Sequence, residues 1–204
     1  MRLKLILTAV TFLLLTSFTV AKTPENTVKN LKDAIIGETT ASTKYAAYAK
    51  QADKEGFNKI AVLFRAASKA ESIHANNHRS VLKDLGVKMD DFTPEYEVKS
   101  TNENLQDAIT GESYEVATMY PDFLKAAKDE NVNLALISFN YAYQTEKKHA
   151  ELYKNALVEL SAGNESKLAS TYFVCSTCGN TYETEAPARC GISMTPKERF
   201  ITID

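Results

Sequence analysis

A nine-residue segment that occurs twice, each time followed by a Glu-x-x-His motif, is the strongest constraint on the fold of this chain. Residues 30–38 (NLKDAIIGE) recur as residues 104–112 (NLQDAITGE). The motif Glu71-Ser-Ile-His74 recurs as Glu146-Lys-Lys-His149, at nearly the same separation along the chain. Self-similarity at a nearly fixed separation indicates that one supersecondary unit is repeated. The sequence therefore predicts two copies of a helical hairpin.

The spacing of apolar residues predicts that each hairpin consists of two long amphipathic helices. The four predicted helices cover approximately residues 25–53, 57–85, 102–129 and 132–162. Glycines stand where the helical patterns end, at Gly56, Gly86 and Gly163, and a polar linker at about 87–101 joins the hairpins. Pro121 lies inside the third helix, where we expect a kink or a local distortion. This pattern predicts an all-α four-helix bundle of the ferritin-like kind with one long crossover.

Acidic residues occupy helix positions that should face the core of this bundle. Steps of three and four residues define the inward rows, which contain five glutamates and two histidines: Glu38, Glu71, His74, Glu112, Glu115, Glu146 and His149. Carboxylates buried together lose their hydration and repel one another. Two divalent metal ions would neutralise them, and this set matches the ligand plan of dinuclear carboxylate bundles. Oxygen-rich ligation with one imidazole per ion favours iron or manganese over structural zinc.

Three further residues lie close to these rows. Tyr45 and Tyr120 follow Glu38 and Glu112 by seven and eight residues, and taken alone they are typical of core aromatics. His78 lies one turn beyond His74, and we expect it on a solvated face outside the site.

The motifs resemble those of the rubrerythrin family over residues 25–204. The resemblance rests on Gly37-Glu38, Glu71-x-x-His74, Gly111-Glu112-x-x-Glu115 and Glu146-x-x-His149. Ferritins and bacterioferritins share the broader ligand plan, but a Glu-x-x-Glu on the third helix is typical of rubrerythrins.

The resemblance implies that two non-haem iron ions bind in the bundle and are bridged by carboxylates. Bridging is implied for Glu71 and Glu146, or for a subset of the ligating acids. His74 and His149 would each bind one ion. Glu115 would become a ligand when one iron is oxidised and moves away from His74.

The resemblance also implies an activity and partners. Tyr45 and Tyr120 stand at the positions of tyrosines that hydrogen-bond ligand carboxylates in the family. The implied enzyme is a peroxidase that reduces hydrogen peroxide to water in defence against oxidative stress. Electrons would pass through a C-terminal iron site from a donor that the sequence does not identify, and the implied assembly is a homodimer.

The C-terminal segment carries all three cysteines of the chain. Residues 172–204 resemble the small β-rich, rubredoxin-like knuckle of rubrerythrins, in which two Cys-x-x-Cys pairs bind one iron. Here the first pair is Cys175 and Cys178, but the second is Cys190 with Ser193. The knuckle could bind iron with Ser193 or water as fourth ligand, bind zinc, or bind no metal. A disulfide between Cys175 and Cys178 is a further alternative in an oxidising compartment.

The segment 1–21 differs from the rest of the chain. A basic start is followed by an apolar run over residues 5–20 and small residues at Thr19-Val20-Ala21. This is typical of a cleaved secretory signal peptide, with an uncleaved membrane anchor as the alternative. We therefore expect an exported, periplasmic protein with a signal peptide at 1–21, a di-iron bundle at 22–165 and a rubredoxin-like domain at 170–204.

The formal charge of -2 gives no indication of a nucleic-acid partner.

Two further functions compete with the peroxidase. A ferroxidase or iron-binding protein of the ferritin-like superfamily would use the same bundle ligands. A binding protein would use the bundle as a scaffold and the cysteine knuckle as a structural or redox-sensing element.

Overall fold

The computed structural model describes residues 23–204 and shows a four-helix bundle followed by a small antiparallel sheet. The signal peptide predicted at 1–21 lies outside the described residues. The helical segments are α1 (Glu25–Glu55), α2 (Asn58–Asp84), α3 (Thr101–Tyr114), α4 (Tyr120–Asp129) and α5 (Asn133–Ser161). The strands are β1 (Tyr172–Cys175), β2 (Thr181–Glu183) and β3 (Phe200–Ile203). The predicted ferritin-like bundle with a rubredoxin-like knuckle is confirmed.

The helix ends follow from local chemistry. Gly56 adopts a φ of 86° directly after α1, and the N–H of Phe57 reaches back to the carbonyl of Ala52 at 2.9 Å. A left-handed glycine at this position satisfies carbonyls that the helix end would leave free. At the start of α3, Ser100 and Glu103 form a reciprocal capping box. The extended segment between α2 and α3 is the predicted crossover.

The third helix of the bundle is interrupted by a π-helical turn at Glu115–Met119, which joins α3 to α4. The N–H of Tyr120 donates to the carbonyl of Glu115, five residues back. Pro121 has no N–H to donate, so an ordinary helical ladder cannot continue through it. The distortion predicted near Pro121 therefore takes the form of a wider turn immediately before it.

Two apolar clusters fill the bundle on either side of the acidic residues. One contains the large side chains Tyr45, Phe64, Leu105 and Tyr153. The other contains Leu31, Leu82, Tyr120 and Phe139. Along each helix, the inward glutamates fall between residues of the first cluster and residues of the second. The acids are thus held at mid-height in the bundle, where packed side chains exclude water from above and below.

The C-terminal sheet has the strand order β2-β1-β3, with both pairings antiparallel. Tyr172 and Val174 of β1 are buried in the same apolar cluster as residues of α2 and α5. The knuckle therefore packs directly on the side of the bundle that carries the Glu-x-x-His motifs. Within residues 23–204, no helix combines the length and apolar character that crossing a membrane requires.

Candidate metal centre

Four glutamates and two histidines converge at mid-height in the bundle as two overlapping groups. One group consists of Glu38, Glu71, His74 and Glu146, and the other of Glu71, Glu112, Glu146 and His149. Within each group, one ligand atom per residue lies within 4.8 Å of all the others. Because Glu71 and Glu146 belong to both groups, their two carboxylates lie between two adjacent positions for metal ions.

The two histidines face this shared pair in the same way. Nδ1 of His74 lies 2.9 Å from Glu71 Oε2 and 2.8 Å from Glu146 Oε1. Nδ1 of His149 lies 3.1 Å from Glu71 Oε1 and 2.9 Å from Glu146 Oε2. Each imidazole thus contacts one oxygen of each shared carboxylate, which gives the centre an approximate two-fold symmetry that follows the sequence repeat.

The opposite ring nitrogens of both histidines contact the knuckle. His74 Nε2 donates to the carbonyl oxygen of Cys178 at 3.0 Å. His149 Nε2 lies 3.0 Å from the hydroxyl of Thr181, which itself donates to the carbonyl of Gly179. That hydroxyl therefore accepts from His149. Fixing the proton on Nε2 leaves Nδ1 directed at the carboxylates, the tautomer that a metal-binding imidazole requires.

Burial and mutual repulsion control the protonation of this centre. Burial raises the pKa of Glu38 to about 8 despite the attraction of His74. Burial and the charges of Glu146 and Glu71 hold the pKa of Glu112 well above its usual range. Burial also opposes ionisation of Glu146, but the nearby charges of His74 and His149 lower its pKa to about 2. Such a set of acids needs added positive charge to ionise fully.

Unpartnered atoms show that metal ions fit this arrangement. Both oxygens of Glu71, both oxygens of Glu146, and Nδ1 of His74 and His149 are buried without a hydrogen-bond partner among the described residues. Buried polar atoms are almost always satisfied, so six in one place indicate a missing ligand. Carboxylate oxygens with one imidazole per position suit ferrous or ferric iron.

Two tyrosines support the outer glutamates across the bundle. The hydroxyl of Tyr45, on α1, donates to Oε1 of Glu112 at 2.7 Å. The hydroxyl of Tyr120, on α4, donates to Oε1 of Glu38. Each hairpin therefore supplies the tyrosine that holds the glutamate of the other hairpin.

The expectation that His78 lies on a solvated face is wrong. Its side chain is completely buried, with Nδ1 2.7 Å from the hydroxyl of Ser138 and Nε2 3.3 Å from the hydroxyl of Tyr120. Burial and the nearby charge of His74 lower the pKa of His78 to about 3. A neutral imidazole thus lies directly behind one of the two supporting tyrosines.

Glu115 stands apart from the two ligand groups. It opens the π-helical turn, the residue as a whole is half-buried, and it belongs to neither group of converging atoms. Burial and the charges of Glu38 and Glu112 nevertheless raise its pKa well above the usual range. The carboxylate of Glu115 is therefore close enough for the charges of the centre to raise its pKa, although it is not one of the converging ligand atoms.

The knuckle forms a second candidate centre. Cys175, Cys178 and Cys190 are free, buried, and have sulfur atoms within 4.8 Å of one another. The Sγ atoms of Cys178 and Cys190 are 3.4 Å apart. The hydroxyl of Ser193 lies 3.2 Å from Cys175 Sγ and 2.8 Å from the hydroxyl of Thr195. Serine thus occupies the position beside the thiols where a fourth ligand would stand, and the three sulfurs suit iron or zinc.

The chain is similar to known proteins over most of its length. The family model described as Rubrerythrin matches residues 29–157. Nigerythrin of Nitratidesulfovibrio vulgaris is 34% identical over 183 residues, which cover 86% of this chain and 85% of nigerythrin. Rubrerythrin-2 of Clostridium acetobutylicum is 33% identical over 172 residues, covering 83% of this chain and 92% of that protein. The structure of fully reduced, all-ferrous nigerythrin superimposes with a TM-score of 0.78 at 32% identity, covering 93% of this chain and 91% of that one.

Proposed function

The chain belongs to the rubrerythrin family, and on that premise we propose that its bundle centre reduces hydrogen peroxide to water. The proposal rests on the two ligand groups that share Glu71 and Glu146. Six potential metal-ligand atoms of the shared glutamates and the two histidines have no hydrogen-bond partner among the described residues and face two adjacent metal positions. Two metal positions side by side allow both oxygens of one small substrate to be held together.

The ligands divide between the two positions by proximity. Glu38 and His74 would hold one iron, Glu112 and His149 would hold the other, and the shared carboxylates would bridge them. When bound, the two ferrous ions supply the two electrons that, with two protons, convert one molecule of hydrogen peroxide into two molecules of water.

The protein side chains orient the ligands and keep bulk water out. Tyr45 and Tyr120 hold Glu112 and Glu38 by hydrogen bonds from hydroxyls that are themselves buried. Glu115 would provide an additional carboxylate when the charge of the centre rises, and its raised pKa, caused by burial and by the charges of Glu38 and Glu112, supports this role.

The contact between His74 and Cys178 supports an electron route from the knuckle to the bundle. The imidazole faces the carboxylate centre through Nδ1 and donates through Nε2 to the carbonyl of a cysteine in the second candidate centre. We propose that Cys175, Cys178, Cys190 and Ser193 would hold an iron ion, and that this contact would carry electrons from an external reductant to the bundle centre.

The proposal is tested by metal analysis and peroxide turnover under anaerobic conditions. We expect two irons in the bundle and a third in the knuckle, the latter with thiolate-to-iron bands that bleach on reduction and return on addition of peroxide. One peroxide should be consumed per two ferrous ions of the bundle. A protein that oxidises ferrous iron with dioxygen but reacts slowly with peroxide would instead be a ferroxidase, and a bundle that binds no iron would contradict the proposal.

Export and dimerisation remain predictions from the sequence. N-terminal sequencing of protein isolated from its host would reveal cleavage after residue 21. Light scattering would give the mass of the assembly.

A further inference from the structure

The two halves of the metal centre are supported differently, although the sequence repeat makes them nearly symmetrical. The repeat that aligns Glu71 with Glu146 also aligns Phe64 with Phe139, which are identical. The same alignment pairs His78 with Tyr153 and Leu63 with Ser138, which are not. The differences fall at the two positions behind the supporting tyrosines.

One half carries a chain of three hydrogen bonds behind the metal ligand Glu38. Ser138 contacts His78 Nδ1 at 2.7 Å, His78 Nε2 contacts the Tyr120 hydroxyl at 3.3 Å, and that hydroxyl contacts Glu38. The rings of His78 and Tyr120 and the side chain of Glu38 are all buried.

The other half has no such chain among the described residues. Tyr45 donates to Glu112 at 2.7 Å, but the residue in the position of His78 is Tyr153, which packs edge-on against the Tyr45 ring with centroids 5.5 Å apart. The Tyr153 hydroxyl has no hydrogen-bond partner within residues 23–204. The Glu112 side therefore depends on one hydrogen bond and on packing alone.

The direction of the protons in the polar chain follows from the groups present. The carboxylate of Glu38, as a metal ligand, can only accept, so the single proton of Tyr120 must point toward it. The Tyr120 oxygen can then only accept from His78, which requires the proton on Nε2. His78 Nδ1 is left as an acceptor, and the hydroxyl of Ser138 donates to it.

We propose that His78 is a positioning residue that locks the Tyr120 hydroxyl onto Glu38 and so makes the two metal positions unequal. Donation from His78 removes the alternative in which Tyr120 rotates its proton away from the carboxylate. Hydrogen bonds in a chain also strengthen one another. A more firmly held Glu38 gives the position beside His74 a different affinity from the position beside His149. The inference rests on the metal centre of the proposed function but not on peroxide turnover.

The first test is the tautomer of His78 in protein loaded with diamagnetic Zn²⁺. Nitrogen NMR of the imidazole should show a neutral ring with its proton on Nε2 and no proton on Nδ1. A ring with its proton on Nδ1 would overturn the proposal, because such a ring cannot donate to Tyr120.

The second test is a stepwise Co²⁺ titration of His78→Leu, His78→Gln and the matched control Tyr153→Phe. Replacement of a side chain that supports a ligand typically costs about 10–100-fold in metal affinity. We expect H78L to weaken one of the two bundle steps by about that factor. H78Q, whose amide N–H can replace the Nε2 donor, should recover most of the loss. Y153F removes an unpartnered hydroxyl and should change neither step by more than about twofold.

Each other outcome contradicts the proposal in a distinct way. An H78L protein whose two steps match wild type would show that the chain positions nothing. Equal weakening of both steps, with a lowered melting temperature of the metal-free protein and no rescue by glutamine, would indicate a purely structural role. Loss of one bound ion would make His78 a ligand. If the wild-type bundle binds no pair of ions, the proposed function is contradicted as well. This outcome is recognised from the wild-type titration alone, before any variant is compared.

Discussion

The bundle centre and the knuckle centre are built by opposite strategies. Ligands of the bundle centre come from all four helices of the bundle, and apolar clusters pack on both sides of them. The three thiols of the knuckle gather beside a small three-stranded sheet, with the Ser193 hydroxyl next to one of them. The first arrangement is held by packing along four long helices. The second has little apolar core of its own and depends on contact with the bundle, and a bound metal would stabilise it further.

The difference between the two centres indicates where a ligand can be replaced at low cost in free energy. A ligand lost from the bundle leaves several carboxylates facing one another in a dry interior, which is costly. In the knuckle, the Ser193 hydroxyl lies beside Cys175 Sγ and is satisfied by the hydroxyl of Thr195. The two centres should therefore respond very differently to the changes below.

The largest effect is expected from Glu146→Ala, which removes a carboxylate shared by both metal positions. We expect loss of the paired metal site and a fall in peroxide reduction of more than about 100-fold, beyond the range seen for residues that only support ligands. Metal content of the knuckle should not change. The exposed residue Glu151, one turn further on, provides the control substitution Glu151→Ala. Paired metal binding retained in E146A would mean that the carboxylate bridges nothing.

A smaller effect is expected from Gly179→Ala, which breaks the contact between the two centres. A Cβ at Gly179 would overlap His74 Nε2 and lie 3.2 Å from the carbonyl oxygen of Ala70, and the residue has a φ of +80°. The left-handed backbone alone costs about 1–2 kcal/mol, and overpacking adds about 1–3 kcal/mol. We expect a loss of unfolding free energy and slower transfer of electrons from the knuckle to the bundle.

Gly163→Ala is the matched control for this change, because Gly163 has a φ of +71° with nothing within 4 Å of its Cβ position. It should show the backbone cost without any effect on electron transfer. Equal electron-transfer rates in both variants would show that the His74–Cys178 contact is not the route.

The smallest effect is expected from Ser193→Cys, which makes the knuckle resemble a four-thiolate site. A fourth soft ligand should slow the loss of metal to a chelator by about tenfold, because thiolates suit iron and zinc better than a hydroxyl does. Metal binding in the bundle should stay the same. Ser170→Cys adds a thiol at an exposed position outside the site and controls for general thiol chemistry. Unchanged metal retention in S193C would place Ser193 outside the ligand set.

The bundle could be predicted closely from the sequence because its signals are periodic and duplicated. The positions of Glu71, His74, Glu146 and His149 on matching helical rows, repeated at nearly one separation, already require that they meet. The resemblance to a rubredoxin-like knuckle likewise implies that Ser193 lies beside the three cysteines, because Ser193 fills the last position of the second Cys-x-x-Cys pair.

His78 could not be assigned from its own helix because its partners belong to other helices. The row that carries His74 continues into the second apolar cluster, with Val81 and Leu82 buried beyond it, so no solvated face begins at position 78. Its hydrogen bonds go to Ser138 and Tyr120, which lie 60 and 42 residues away. The available signal was the repeat itself, which pairs His78 with Tyr153 in a row of aromatic and apolar residues.

The docking of the knuckle was also beyond the sequence. The hydrogen bonds from His74 and His149 to the knuckle depend on how β1 and β2 lie against α2 and α5. No local pattern encodes such a contact between distant segments.

The π-helical turn takes up a one-residue difference between the two hairpins. Seven residues separate Glu38 from Tyr45 in the first hairpin, and eight separate Glu112 from Tyr120 in the second. A single codon accounts for this difference, and the turn at Glu115–Met119 accommodates it. In-frame deletion of that codon would restore the seven-residue separation that an uninterrupted α-helix carries in the first hairpin. Glu112 and the tyrosine would then still share a face, so the extra triplet leaves the ligand of one metal position and the support of the other in register while it creates the wider turn that begins at Glu115.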